Sequence, residues 1–126
     1  MRSDIVSLIV GVILAHHSFT AEYDSSKLMQ FKGTVTKMEW SNPHARFYLD
    51  IKDAQGNVNN WNFELGTPIL LRKLGWRQDS LKIGDQVSVE GYLAKDGSKM
   101  ANARKVTLAD GRSVFAGSSA DGSPTK

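Results

Sequence analysis

The sequence predicts an all-β domain with one short helix, a five-stranded OB-like Greek-key β-barrel, and three observations predict it. From Phe31 onward apolar residues alternate with polar ones in short runs, turn residues separate those runs, and one apolar segment after the third run changes to helical spacing. Three strands, a short helix and two more strands is the order in which small barrels of this type are built. A generic antiparallel barrel or sandwich shares the pattern and stays open as the alternative.

The chain opens on a leader. Met1 to Asp4 is polar with one basic residue, Arg2, Ile5 to Leu14 is nearly all aliphatic, and Ala15 is small. This is the layout of a secretory signal, and the apolar run falls short of the roughly 20 residues that span a bilayer. Asp4 lowers the charge of the n-region, and Ile13 stands where a small residue suits cleavage. An uncleaved anchor or a buried N-terminal strand therefore competes with export. The expected division is a signal peptide or retained anchor over 1–15, an N-terminal arm over 16–30, a barrel over 31–116 and a disordered tail over 117–126.

Within the barrel, Phe31 to Trp40 alternates Phe31, Gly33 and Val35 against polar neighbours until its register shifts near Met38, which predicts a bent strand. Asn42 and Pro43 mark a turn. Arg46 to Lys52 places Phe47, Leu49 and Ile51 on one face, Asp53 to Asn57 is a hairpin loop, and Val58 to Leu65 returns with Trp61 and Phe63. Thr67 is a candidate N-cap, Pro68 fits the first helical position and Gly75 suits a left-handed cap. Between them Ile69, Leu70, Leu71 and Leu74 form the apolar face of a helix of about two turns. Lys82 to Asp85 is a turn into a strand carrying Val87, Val89 and Tyr92. Lys95 to Ser98 turns the chain again, and Ala101 to Leu108 follows with Ala103 and Val106 inward. Ala109 to Arg112 allows a further small hairpin ending at Phe115. The segment from Gly117 lacks apolar residues, which predicts disorder.

Composition narrows the chemistry. A chain of 126 residues accommodates one domain, and its net charge of +3 is spread along the sequence rather than gathered into a nucleic-acid-binding tract. The absence of cysteine excludes disulfides, thiolate metal sites and cysteine nucleophiles.

The segments AHHSFTAEYD, KGTVTKMEWSNPHARFYLDIKD, NWNFELGTP, GWRQDSLKIGDQVSVEGYLAKDG and ANARKVTLADGRSVFAGSS resemble a family of small exported bacterial proteins classed as a domain of unknown function. The resemblance runs over roughly residues 15 to 119. It is carried by His16-His17-Ser18-Phe19, Trp40-Ser41-Asn42-Pro43-His44, Trp61, Gly75-Trp76 and Gly84-Asp85. It implies a periplasmic location with the histidine pair directly after the cleavage site, and it brings no enzymatic activity.

Cleavage after Ala15 would make His16 the first residue, so that its amine and imidazole could chelate one metal ion. His17 could add a nitrogen, and His44, the only other histidine, lies in a turn where a loop could meet the N terminus. Imidazole and amine nitrogens without thiolate favour copper(II), nickel or zinc, with copper first for a planar set. Glu22, Tyr23 and Asp24 are candidates to orient those ligands. The bland reading is an exposed histidine pair that binds metal weakly and a His44 that serves only its turn.

A second reading uses the barrel surface as an OB-type binder of an oligosaccharide, peptide or polyanion, with Trp40, Arg46 and Tyr48 as ligand-surface candidates. Export argues against nucleic acid. A third reading is a non-catalytic accessory subunit with a protein partner in an envelope or membrane complex, touching membrane only if the leader is retained. Phosphate loops, dinucleotide fingerprints and H-E-x-x-H are missing, and Ser18 and Ser41 are only sequence neighbours of histidines, so no enzyme is expected.

Overall fold

Strand β1 (Tyr23–Glu39) is shared between two neighbours in the computed structural model, which describes residues 19–121. Its first part pairs antiparallel with β4 (Gln86–Ala94), and from Thr34 onward it pairs antiparallel with β2 (Arg46–Lys52). A bulge between Val35 and Lys37 bends it where its neighbour changes, as the broken alternation near Met38 suggests. Strand β3 (Val58–Glu64) pairs with β2 along its length. Strand β5 (Met100–Thr107) pairs antiparallel with β4, and it closes the ring by running parallel to β3 at Asn62–Met100, Phe63–Ala101 and Glu64–Asn102. A short β6 (Ser113–Phe115) adds the expected last hairpin, making a six-stranded sheet closed through its five long strands.

A short α-helix, α1 (Pro68–Lys73), lies between β3 and β4, where the sequence places it. Its ends are fixed locally. Thr67 Oγ1 accepts the Leu70 N–H at 3.2 Å, Pro68 occupies the first turn, and Gly75 has φ +101°. The expected apolar face is only partly used. Leu71 is buried, whereas Ile69 is 67 % exposed. Trp76, just past the helix, is buried and donates its Nε1–H to Phe115 O at 2.7 Å, which ties the helix loop to β6.

Inward residues of every long strand fill the barrel: Val35, Phe47, Leu49, Phe63, Val87, Val89, Ala103 and Val106 are all buried. Phe47 stacks on Phe63 with centroids 5.1 Å apart, and Phe31 meets Trp61 at 5.0 Å. Packing leaves no room at Gly33, where a Cβ would strike the Asp50 carbonyl oxygen and approach Ile51 Cγ1 to 2.9 Å.

Two expected boundaries are corrected. The arm over 16–30 and the barrel from 31 do not divide at Phe31, because β1 already begins at Tyr23. Residues 25–30 are exposed on both faces, so they carry no alternation to read. The tail expected to be disordered from Gly117 is ordered at least to the 3₁₀ turn Ser119–Asp121. Ser118 is buried and donates to Asn102 Oδ1 at 2.5 Å, and Gly66 N–H donates to Ala116 O at 2.8 Å. A polar need inside the barrel wall orders this segment without any apolar signal.

Candidate functional site

Above the end of β3, the loop joining β1 to β2 carries His44. The loop contains a cis Asn42–Pro43 peptide, and the following Ala45 is fully buried and bonded to both Gly66 and Leu65 main chain. His44 itself is exposed, and its Nδ1 lies 2.9 Å from Leu65 O. A carbonyl can only accept, so Nδ1 is the donor here, and in the neutral ring the lone pair lies on Nε2. The loop thus presents one oriented imidazole nitrogen to the outside.

The start of the described chain is anchored against β4. Phe19 packs on Tyr23 at 5.7 Å and edge-on against Tyr92 at 5.5 Å, forming a small cluster separate from the barrel interior. Tyr23 is buried, and burial pushes its hydroxyl pKa well up. The negative charge of Glu64 pushes the same way while Arg46 opposes it. Among the described residues its hydroxyl has no hydrogen-bond partner. Tyr23 is therefore a packing residue beside Glu64 rather than an exposed group free to orient a metal ligand. Glu22 is exposed, and Asp24 uses Oδ1 to accept both the N–H and the hydroxyl of Ser26, at 3.0 and 2.6 Å. The Ser26 hydroxyl bond is the main cause that holds the Asp24 carboxyl below its ordinary value.

A polar chain runs across the barrel closure under this cluster. Arg46 Nη2 reaches Glu64 at 3.3 Å, Glu64 accepts from Asn102 Nδ2 at 2.9 Å, and Asn102 accepts from Ser118. Arg46 also donates to Asn62 at 3.2 Å. The side chain read as a free ligand contact is thus committed to a half-buried pair.

The other two surface candidates are likewise engaged. Tyr48 is half-buried, donates its hydroxyl to Glu39 at 3.0 Å and lies under Lys37 Nζ, 5.4 Å from its ring centroid. Burial first, and that hydrogen bond second, push its pKa up. Trp40 packs against the core edge with Arg72 over its ring at 6.0 Å. Beside Tyr48, Asn60 donates to Asp50 at 2.9 Å and to Thr36 at 3.0 Å. Sequence reading missed this amide row, because asparagines on an outward strand face look like ordinary surface.

His16 and His17 lie outside the described residues. Among the described residues no group of three or more His, Asp or Glu side chains is placed to hold a metal ion, and no helix is long and apolar enough to cross a membrane.

The description of a family of unknown function, DUF6152, matches residues 5–103. The chain belongs to this family. DUF6152 carries no assigned activity in that description, and no curated protein matches the chain. Among solved structures, the DUF6152 chain is similar to Rim1, a mitochondrial single-stranded DNA binding protein of S. cerevisiae, with TM-score 0.51 and 14 % identity over 65 % of this chain and 92 % of Rim1. A TiaS–tRNA–ATP complex is matched at TM-score 0.49 and 20 % identity, over 68 % of this chain and 19 % of TiaS. The likeness to Rim1 supports the OB-like fold assigned above.

Proposed function

We propose that this chain is an exported, non-catalytic metal-binding β-barrel that takes copper(II) through His44 and the N-terminal pair His16 and His17. The observation that carries the reading is the hydrogen bond from His44 Nδ1 to Leu65 O, which fixes the tautomer and leaves Nε2 as the outward donor. A backbone carbonyl holding the far side of the ring is how ligating imidazoles are oriented. Position adds to it. Phe19 and Tyr23 fasten the N-terminal segment beside Glu64, the residue before Leu65. His16 is three residues from Phe19, a span of roughly 10 Å at full extension. Export through the leader would free the His16 amine and complete a nitrogen set that suits copper(II).

Calorimetric titration with copper(II) of protein whose N terminus is verified as His16 tests the reading. His44→Ala is expected to weaken binding by about tenfold or more. Equal affinity in wild type and variant would remove His44 from the site.

A second reading is favoured by the Tyr48, Asn60 and Asn62 face. Its cations Lys37 and Arg46 are each paired with a carboxylate, Glu39 and Glu64. A polyanion needs unpaired positive charge, so the similarity to a DNA-binding protein lends little here, and the amide and hydroxyl groups fit a neutral oligosaccharide better. Glycan-array binding that Tyr48→Ala abolishes would establish this use of the face, and an array blank for both proteins would dismiss it.

A further inference from the structure

Helix α1 turns a ridge outward. Pro68 and Leu71 are its buried side chains, so Ile69 and Lys73, one turn apart, lie along its outer line. Leu74 follows at the C-cap and is also exposed. Arg72 leaves the ridge on the side of Trp40, over whose ring it sits. Between Leu65 and Gln78 the chain carries Arg72, Lys73 and Arg77 and no carboxylate, and the loop from Trp40 to Ala45 adds none. Arg46, Arg77, Arg104 and Arg112 each have a carboxylate in ion-pair range. Arg72 faces an indole instead, and neither it nor Lys73 has an ion pair among the described residues. One ridge thus combines exposed aliphatic side chains with positive charge that the barrel does not neutralise.

We infer that this ridge rests on an anionic phospholipid surface. The lipid phosphates meet Arg72 and Lys73, while Ile69 and Leu74 enter the apolar margin beneath them. Arginine and lysine stems lie along apolar surface and still raise their charged ends to the headgroups, and a tryptophan at that level suits a membrane interface. A soluble polyanion would meet the same two cations and leave Ile69 in water. A stable protein partner needs about 800 Å² on each side, and a six-residue helix about 9 Å long offers a fraction of that. Lipid is the occupant that uses both the charge and the exposed isoleucine, and the contact does not require the apolar leader.

The chain has no cysteine, so Ile69→Cys and Val58→Cys each accept a single environment-sensitive fluorophore. Val58 is 56 % exposed and begins β3, whose length of roughly 20 Å separates it from the α1 end of the barrel. Labelled full chains are mixed with vesicles of phosphatidylcholine alone, or of phosphatidylcholine and phosphatidylglycerol in equal parts. The label at 69 is expected to shift blue only with the anionic vesicles and to return when salt is added, while the label at 58 stays unchanged. Arg72→Gln with Lys73→Gln is expected to weaken binding about tenfold or more, whereas Lys27→Gln with Lys32→Gln, a matched loss of charge on β1, changes it less than about twofold. A label at 69 that ignores the anionic vesicles overturns the proposal, even where the leader holds the chain to them. An equal shift with both lipid compositions, or an equal shift at 58, overturns it as well. Binding of soluble heparin through Arg72 and Lys73, with no shift at 69 on vesicles, would make the occupant a polyanion instead.

Discussion

Ser118 and Asn102, both buried, share a 2.5 Å hydrogen bond that joins the segment after β6 to the wall of the barrel. Asn102 passes the connection on to Glu64, which holds Arg46. The closure of the barrel between β3 and β5 is thus crossed by a polar chain whose last member comes from the C-terminal segment.

Ser118→Ala leaves Asn102 Oδ1 buried without its donor and is expected to cost about 1–3 kcal/mol. Urea unfolding of the variant and of a chain ended at Ala116 measures it. A loose tail would give the same midpoint as wild type in both.

Phe19→Ala is expected to destabilise the domain by about 2–4 kcal/mol, because its ring covers Tyr23 and Tyr92 and leaves a cavity between them. Hydrogen exchange should quicken from Tyr23 along β1 more than in β2 and β3. Unchanged stability and exchange would mean that the N-terminal segment is not fastened to the barrel.

Glu90 gives a pH signature. Arg104 Nη1 donates to it at 2.7 Å, and this hydrogen bond is the main cause that holds its carboxyl below the ordinary value of 4.5, with burial opposing and Gln30 assisting. A depressed folded-state pKa contributes stability that is present above the unfolded value and lost as pH falls through the folded one. Glu90→Gln is expected to cost about 1 kcal/mol at neutral pH and to flatten the stability profile below pH 4.5. Parallel wild-type and variant profiles through that acid range would contradict the assignment.

Much of this fold is legible in the sequence, and the reason is locality. The cap at Thr67, the proline at 68 and the left-handed Gly75 each act within one turn of chain, and the alternation of Phe47, Leu49 and Ile51 states which face of β2 is inside. Illegible parts depend on partners distant in sequence. The first half of β1 has solvent on both faces, so no period marks it. Arg46 looks like a free surface cation until β3 brings Glu64 and Asn62 to it, and Ser118 looks like linker until β5 brings Asn102. His44 was legible as a histidine in a turn. Only the fold shows which of its nitrogens is free.

The most direct test of the proposed function is metal analysis combined with N-terminal sequencing of the protein recovered from its native cells. The account predicts a chain beginning at His16 with copper in stoichiometric amount, since a terminal amine and three imidazoles then converge on one ion. A chain beginning at Met1, or one beginning at His16 without copper, would contradict it.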